Sequence, residues 1–114
     1  MPQPRKMKNV NIFIDVDLTL VDEMGRLLPG AAEALRALHD RGCHLFLWSS
    51  CGVEYSRDIA ERNGLLELIE GIVPKPDIVI DDMPGTCLNP FVFDVNVEES
   101  WAALAQKILD GYVM

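Results

Sequence analysis

Asn11-Ile12-Phe13-Ile14-Asp15-Val16-Asp17-Leu18-Thr19-Leu20 is the stretch whose reading decides the rest of the chain. Its apolar part, with Val10 in front, has the length and composition of a buried strand. That strand closes on two carboxylates two positions apart, and a hydroxyl residue follows two further on. Ending a buried strand in paired Asp is costly unless a cation or a proton lies between them. In a continued strand Asp15 and Asp17 would face the same way. Beyond a strand end the backbone can curl and bring both toward one centre. Such a pair suits a hard, oxygen-liganded cation such as Mg²⁺. One carboxylate can also attack phosphorus while the other exchanges a proton with the leaving group. In isolation the same residues read as two loop acids, so the other strand ends must decide.

Outward from that stretch, the chain alternates strands and helices. Val21 to Leu28 reads as a turn around Met24-Gly25 with short extended arms. Pro29-Gly30 opens a helix over Ala31 to Asp40, whose apolar side is Leu35 and Leu38 with Ala31, Ala32 and Ala34 nearby. Arg41-Gly42 closes it. His44 to Trp48 is a second, nearly all-apolar strand, as expected of a sheet covered on both faces. A small polar turn, Ser49-Ser50-Cys51-Gly52, leads into a helix over Glu54 to Asn63. Leu65 to Ile69 fits either a helical turn or a short strand, and Gly71 to Pro76 reads as loop. Asp77 to Ile80 reads as a third strand ending in a second acid pair, Asp81-Asp82. Phe91 to Asp94 is a last short strand, and Glu98 to Leu109 a closing helix with Asn96 as its cap. Trp48 and Trp101 read as core. The alternation predicts a three-layer α/β/α sandwich with a mainly parallel, Rossmann-like sheet. In such folds sites form beyond the carboxyl ends of the strands, which is where Asp15, Asp17, Ser49 and the acid pair all fall.

The whole chain has 114 residues, which bounds it to one domain, 10–114, behind a short polar arm, 1–9. A net charge of -8 argues against a protein that holds nucleic-acid backbones, though a bound cation would still admit a small phosphorylated ligand. No apolar run approaches the ~20 residues of a membrane span. The start has no leader-like segment, so cytoplasmic residence is the expectation. Cys43, Cys51 and Cys87 show no metal-like or disulfide-like spacing, and Cys51 and Cys87, near the site rim, read as inert small residues.

Further polar residues join the first pair. Ser49 and Ser50 sit at a strand-to-helix turn, where hydroxyls and N–H groups can hold phosphate oxygens or simply cap the helix. Neither lies in a Gly-x-Ser-x-Gly elbow. Lys75 lies between Pro74 and Pro76, which restrict the backbone and can aim one ammonium at phosphate charge. Of Asp81 and Asp82, one is expected to be a cation ligand and the other a supporting acid. Glu23, Arg26, Tyr55, Arg57 and Met83 are candidates for the rim.

Taken together, Asp15-Val16-Asp17-Leu18-Thr19, Ser49 after the second strand, Lys75, and Ile78-Val79-Ile80-Asp81-Asp82 resemble the four ordered motifs of the haloacid dehalogenase-like (HAD) superfamily of phosphatases and phosphotransferases. The resemblance spans residues 10–94. It implies that Asp15 is the nucleophile that becomes an aspartyl-phosphate, and that Asp17 protonates the leaving group and then activates water. It implies Mg²⁺ held by the Asp15 and Asp81 carboxylates and the Asp17 carbonyl. Ser49 and Lys75, with Ser50 beside them, would bind phosphate, while Thr19 and Asp82 support the site. The short Asp17–Ser49 and Lys75–Asp81 intervals leave no room for a cap domain. An open site suits a bulky phosphorylated substrate, or a second subunit of a homo-oligomer acting as lid. The order of residues differs from that of a phosphoacceptor receiver domain, which has an acidic pair near the start, the acceptor Asp mid-chain, then Thr or Ser and then Lys, whereas here a second acid pair follows the lysine. The remaining rival is a non-catalytic phospholigand-binding or assembly protein on the same fold.

Overall fold

The first strand forms where the apolar run predicts it, as β1 (Asn11–Asp15), followed by α1 (Ala31–Asp40), β2 (His44–Ser49), α2 (Val53–Arg62), β3 (Ile69–Pro74) and α3 (Trp101–Tyr112). These elements come from a computed structural model that describes residues 5–78, 80, 82 and 93–114. The three strands pair in parallel in the order β1-β2-β3, and crossover helices join them. The result is an α/β/α sandwich with a mainly parallel sheet. Among the described residues no helix is long and apolar enough to cross a membrane.

Period-two alternation in β2 sorts its side chains between the two sheet faces. Leu45, Leu47 and Ser49 are buried, whereas Phe46 and Trp48 are half-buried. Leu45 and Leu47 share one core with Ile14 and Val16, with Ala31, Leu35 and Leu38 of α1, with Ile59 and Ala60 of α2, and with Trp101, Leu104 and Ile108 of α3. Trp48, expected in that core, lies outside it. The alternation turns it to the opposite face, where Phe13 stacks on Phe46 at 5.0 Å and meets Trp48 edge-on at 5.3 Å between ring centroids. Gly71 makes room for this cluster, because a Cβ there would lie 2.9 Å from the Phe46 ring. The N-terminal segment is tied to the other end of the chain, as Met7 pairs with Val113.

Four sequence expectations shift. The segment read as loop from Gly71 to Pro76 is largely strand, since β3 runs Ile69–Pro74 after a one-turn 3-10 helix, Leu66–Leu68. Its β-branched residues pair with β2, and the prolines stand only at and beyond its end. Asp77, Ile78 and Ile80, expected in a strand, are in none, and Ile78 and Ile80 are 82% and 96% exposed. Phe93 and Asp94 likewise lie outside any strand. Val79, Asp81, Phe91 and Val92 fall outside the described residues. Finally, α3 begins at Trp101 rather than Glu98. Ser100, not Asn96, is its cap, and its hydroxyl accepts the Ala103 N–H at 3.0 Å. Glu98 instead pairs with Lys107 at 3.2 Å.

The shared core gives a direct test. Leu47 is fully buried at the centre of the middle strand. Leu47→Ala should lower unfolding free energy by about 2–5 kcal/mol in urea denaturation, whereas a loss well under 1 kcal/mol would contradict the packing described.

Candidate functional site

Strand register brings the sequence motifs to one end of the sheet. Asp15 pairs with Trp48 across β1 and β2, and Ser49 pairs with Pro74 across β2 and β3. Asp15, Ser49 and Lys75 therefore end three adjacent parallel strands. The Lys75 N–H also donates to the Ser49 carbonyl at 3.3 Å, which carries the alignment one residue past β3.

After Asp15 the backbone curls sharply. The Val16 carbonyl accepts N–H groups from Thr19, Leu20 and Val21 at 3.4, 3.0 and 3.2 Å. Leu18 takes a left-handed φ of 59°, which is uncommon for a bulky residue and costs local strain. The turn swings Thr19 back, and its hydroxyl donates to Asp15 Oδ2 at 3.1 Å. Trp101 of α3 donates its indole N–H to the Thr19 carbonyl at 3.0 Å, fastening the turn to the helix layer. The hairpin-like segment beyond it forms as expected. Val21 bridges Leu27, and Asp22 accepts the Met24 and Arg26 N–H groups. The hydrogen bond from the Arg26 backbone is the main reason the Asp22 carboxyl sits below its ordinary range.

Both oxygens of Asp15 are thus engaged. Oδ2 accepts from Thr19, and Oδ1 pairs with the Lys75 ammonium at 3.1 Å. The Asp15 side chain is 34% exposed and that of Lys75 39%, so the pair contributes little to stability. Its consequence is orientation, together with positive charge beside a carboxylate that faces solvent. The Lys75 ammonium also lies 5.7 Å from the centroid of the Trp48 ring.

Ser49 is only 2% exposed, and its Oγ accepts the Cys51 N–H at 3.0 Å. This bond shapes the turn into α2. Ser50 and Asp82 are exposed. Asp81 lies outside the described residues, so its expected place beside Asp15 is left to the sequence.

Asp17 has partners that the sequence reading did not assign. Its Oδ1 accepts a hydrogen bond from the hydroxyl of Tyr55, in the first turn of α2. Its Oδ2 accepts the thiol of Cys51 at 3.4 Å. Cys51 is exposed, not an inert filler. Tyr55, a rim candidate from the sequence, packs its ring partly against the core and sends its hydroxyl to Asp17. The signal available was a residue with an apolar body and a polar tip, one turn beyond a site strand.

Asp15 carboxylate and Asp17 carbonyl oxygens are donors of the class that Mg²⁺ takes. Among the described residues no group of three or more His, Cys, Asp or Glu side chains is arranged to hold a metal ion. Neither a protein-family model, nor a curated protein, nor a solved structure matches the chain.

The Tyr55–Asp17 contact has a spectroscopic consequence. The hydrogen bond to Asp17, then burial and the carboxylate's charge, raise the Tyr55 phenol from 10.0 to about 12. A raised folded-state pKa stabilises fully below the unfolded value near 10 and loses that contribution as pH climbs through about 12. In a Tyr112→Phe background, phenolate absorbance should therefore develop toward pH 12, and Asp17→Asn should return it toward 10. Titration near 10 in both proteins would contradict the contact.

Proposed function

We propose that this chain is a Mg²⁺-dependent phosphomonoester hydrolase of the HAD type that works through an aspartyl-phosphate on Asp15. The observation that carries this reading is the setting of Asp15. It ends β1 with one oxygen held by Thr19 and the other beside the Lys75 ammonium, and Asp17 stands in the tight turn directly after it.

Asp15 attacks phosphorus, and the bond from phosphorus to the ester oxygen breaks. Asp17 delivers a proton to the departing oxygen, which leaves as a neutral alcohol. Asp17, now a carboxylate, takes a proton from water as that water attacks the phosphoryl group. Phosphate departs and the Asp15 carboxylate is restored. Lys75 neutralises charge on the phosphoryl oxygens, while Ser49 and the neighbouring Ser50 turn hold them. Thr19 keeps Asp15 oriented. Asp15, the Asp17 carbonyl and Asp81 would hold Mg²⁺, which supplies further charge neutralisation at the phosphate. Asp82 supports that acidic corner. The exposure of Asp17 and of the Leu18 side chain favours a bulky substrate or a lid from a second copy of the chain. A water-soluble phosphate ester in the cytoplasm is the substrate class this reading implies.

Hydrolysis of p-nitrophenyl phosphate in Mg²⁺ tests the proposal. Chelation should abolish turnover and added Mg²⁺ restore it. Asp15→Asn should remove activity, and Asp17→Asn should lower it by about 10²–10⁴-fold. Undiminished turnover in Asp15→Asn would overturn the mechanism. Phosphate binding without turnover of any ester would replace it with a phospholigand-binding role.

A further inference from the structure

We infer that Tyr55 is a positioning residue for Asp17, pinning Oδ1 of that carboxylate so that Oδ2 is presented to the leaving-group oxygen. The inference rests on the phosphomonoesterase reading above and concerns how its acid/base is aimed.

Asp17 lies beyond the end of β1, exposed, in a turn where the next residue is forced into a left-handed conformation. An exposed carboxylate on two rotatable bonds samples several rotamers. Proton transfer needs the carboxylate oxygen within hydrogen-bond reach of the ester oxygen. A displacement of about 1 Å can cost 10²-fold in rate. The turn itself restrains the Asp17 backbone but not its side chain.

Tyr55 supplies that restraint from a rigid support. It sits on α2, its ring is partly buried against the shared core, and its hydroxyl donates to Asp17 Oδ1. The same α2 follows directly from the Ser49 turn, so one rigid connection links the serine site and the clamp on Asp17. The two oxygens of Asp17 are held unequally. Oδ1 faces a phenol, a strong donor. Among the described residues, Oδ2 faces only the Cys51 thiol at 3.4 Å, a weak donor that a substrate oxygen can displace. In the reaction the Tyr55 O–H bond stays intact. The proton that moves is the one on Asp17 Oδ2, passing to the ester oxygen in the first step and regained from water in the second.

The test is Tyr55→Phe, which keeps the ring and removes only the hydroxyl. Its kcat and KM are measured on p-nitrophenyl phosphate, whose leaving group needs little protonation, and on glycerol phosphate, whose alkoxide needs a proton. The expected result is a loss in kcat/KM, which reports the leaving-group step and not the later attack of water, about tenfold or more greater on glycerol phosphate than on p-nitrophenyl phosphate. Combined with Asp17→Asn, the substitution should cost nothing further, because both remove one function. Equal losses in kcat/KM on the two esters, no loss on either, or additive losses in the double variant would overturn the inference. Asp15→Asn in the same assays separates the two levels of the argument. If it is inactive while Tyr55→Phe is unimpaired, only the role of Tyr55 falls. If the unsubstituted protein turns over neither ester, both readings fall.

Discussion

Three backbone N–H groups converge on the carbonyl oxygen of Val16, and the geometry at this end of the sheet follows from that turn. A strand that ran straight on would carry Asp17 away from the neighbouring strand ends and leave Thr19 out of reach of Asp15. The turn returns Thr19 to its own nucleophile candidate and holds Asp17 where α2 can meet it. The cost is a leucine in left-handed backbone, an arrangement that persists only where surrounding contacts over-determine it. Those contacts are identifiable. Leu20 and Val21 are fully buried, and the Trp101 indole holds the Thr19 carbonyl.

Parallel pairing supplies the second half of the arrangement. Because β1, β2 and β3 run the same way, their carboxyl ends face one side, and a residue at the end of each is delivered to the same region. Lys75 reaches Asp15 across the intervening β2, over the face of Trp48. The half-buried position of Trp48 thus has a use that a core position would deny it. Its ring lies beneath the ammonium, and Phe13 meets it edge-on while stacking on Phe46.

Much of this was legible in the residues themselves. Both helices α1 and α2 and both strands β1 and β2 follow hydrophobic periodicity closely, since each buries one clear face. The Asp15, Ser49 and Lys75 positions were legible because each follows a strand or is bracketed by prolines. What periodicity could not resolve was which of two apolar runs near Lys75 pairs with β2. Ile69 to Val73 and Ile78 to Ile80 are both rich in β-branched residues, and pairing with β2 places the first in the sheet. Trp48 misled for a similar reason. An all-apolar strand looks buried on both faces, yet only its Leu45 and Leu47 face joins the core. The Tyr55 and Cys51 contacts to Asp17 were hidden because they depend on how α2 leaves its turn, which no local pattern encodes.

The central claim is that Asp15 carries the phosphoryl group. Rapid acid quenching during turnover of p-nitrophenyl phosphate, followed by mass spectrometry of proteolytic fragments, tests it most directly. The account predicts a single phosphoryl adduct on the fragment containing Asp15 in the unsubstituted protein, accumulating further in Asp17→Asn if water activation is slowed more than attack, and absent in Asp15→Asn. Sustained turnover with the adduct on another residue, or with none on Asp15 at any quench time in either protein, would contradict it.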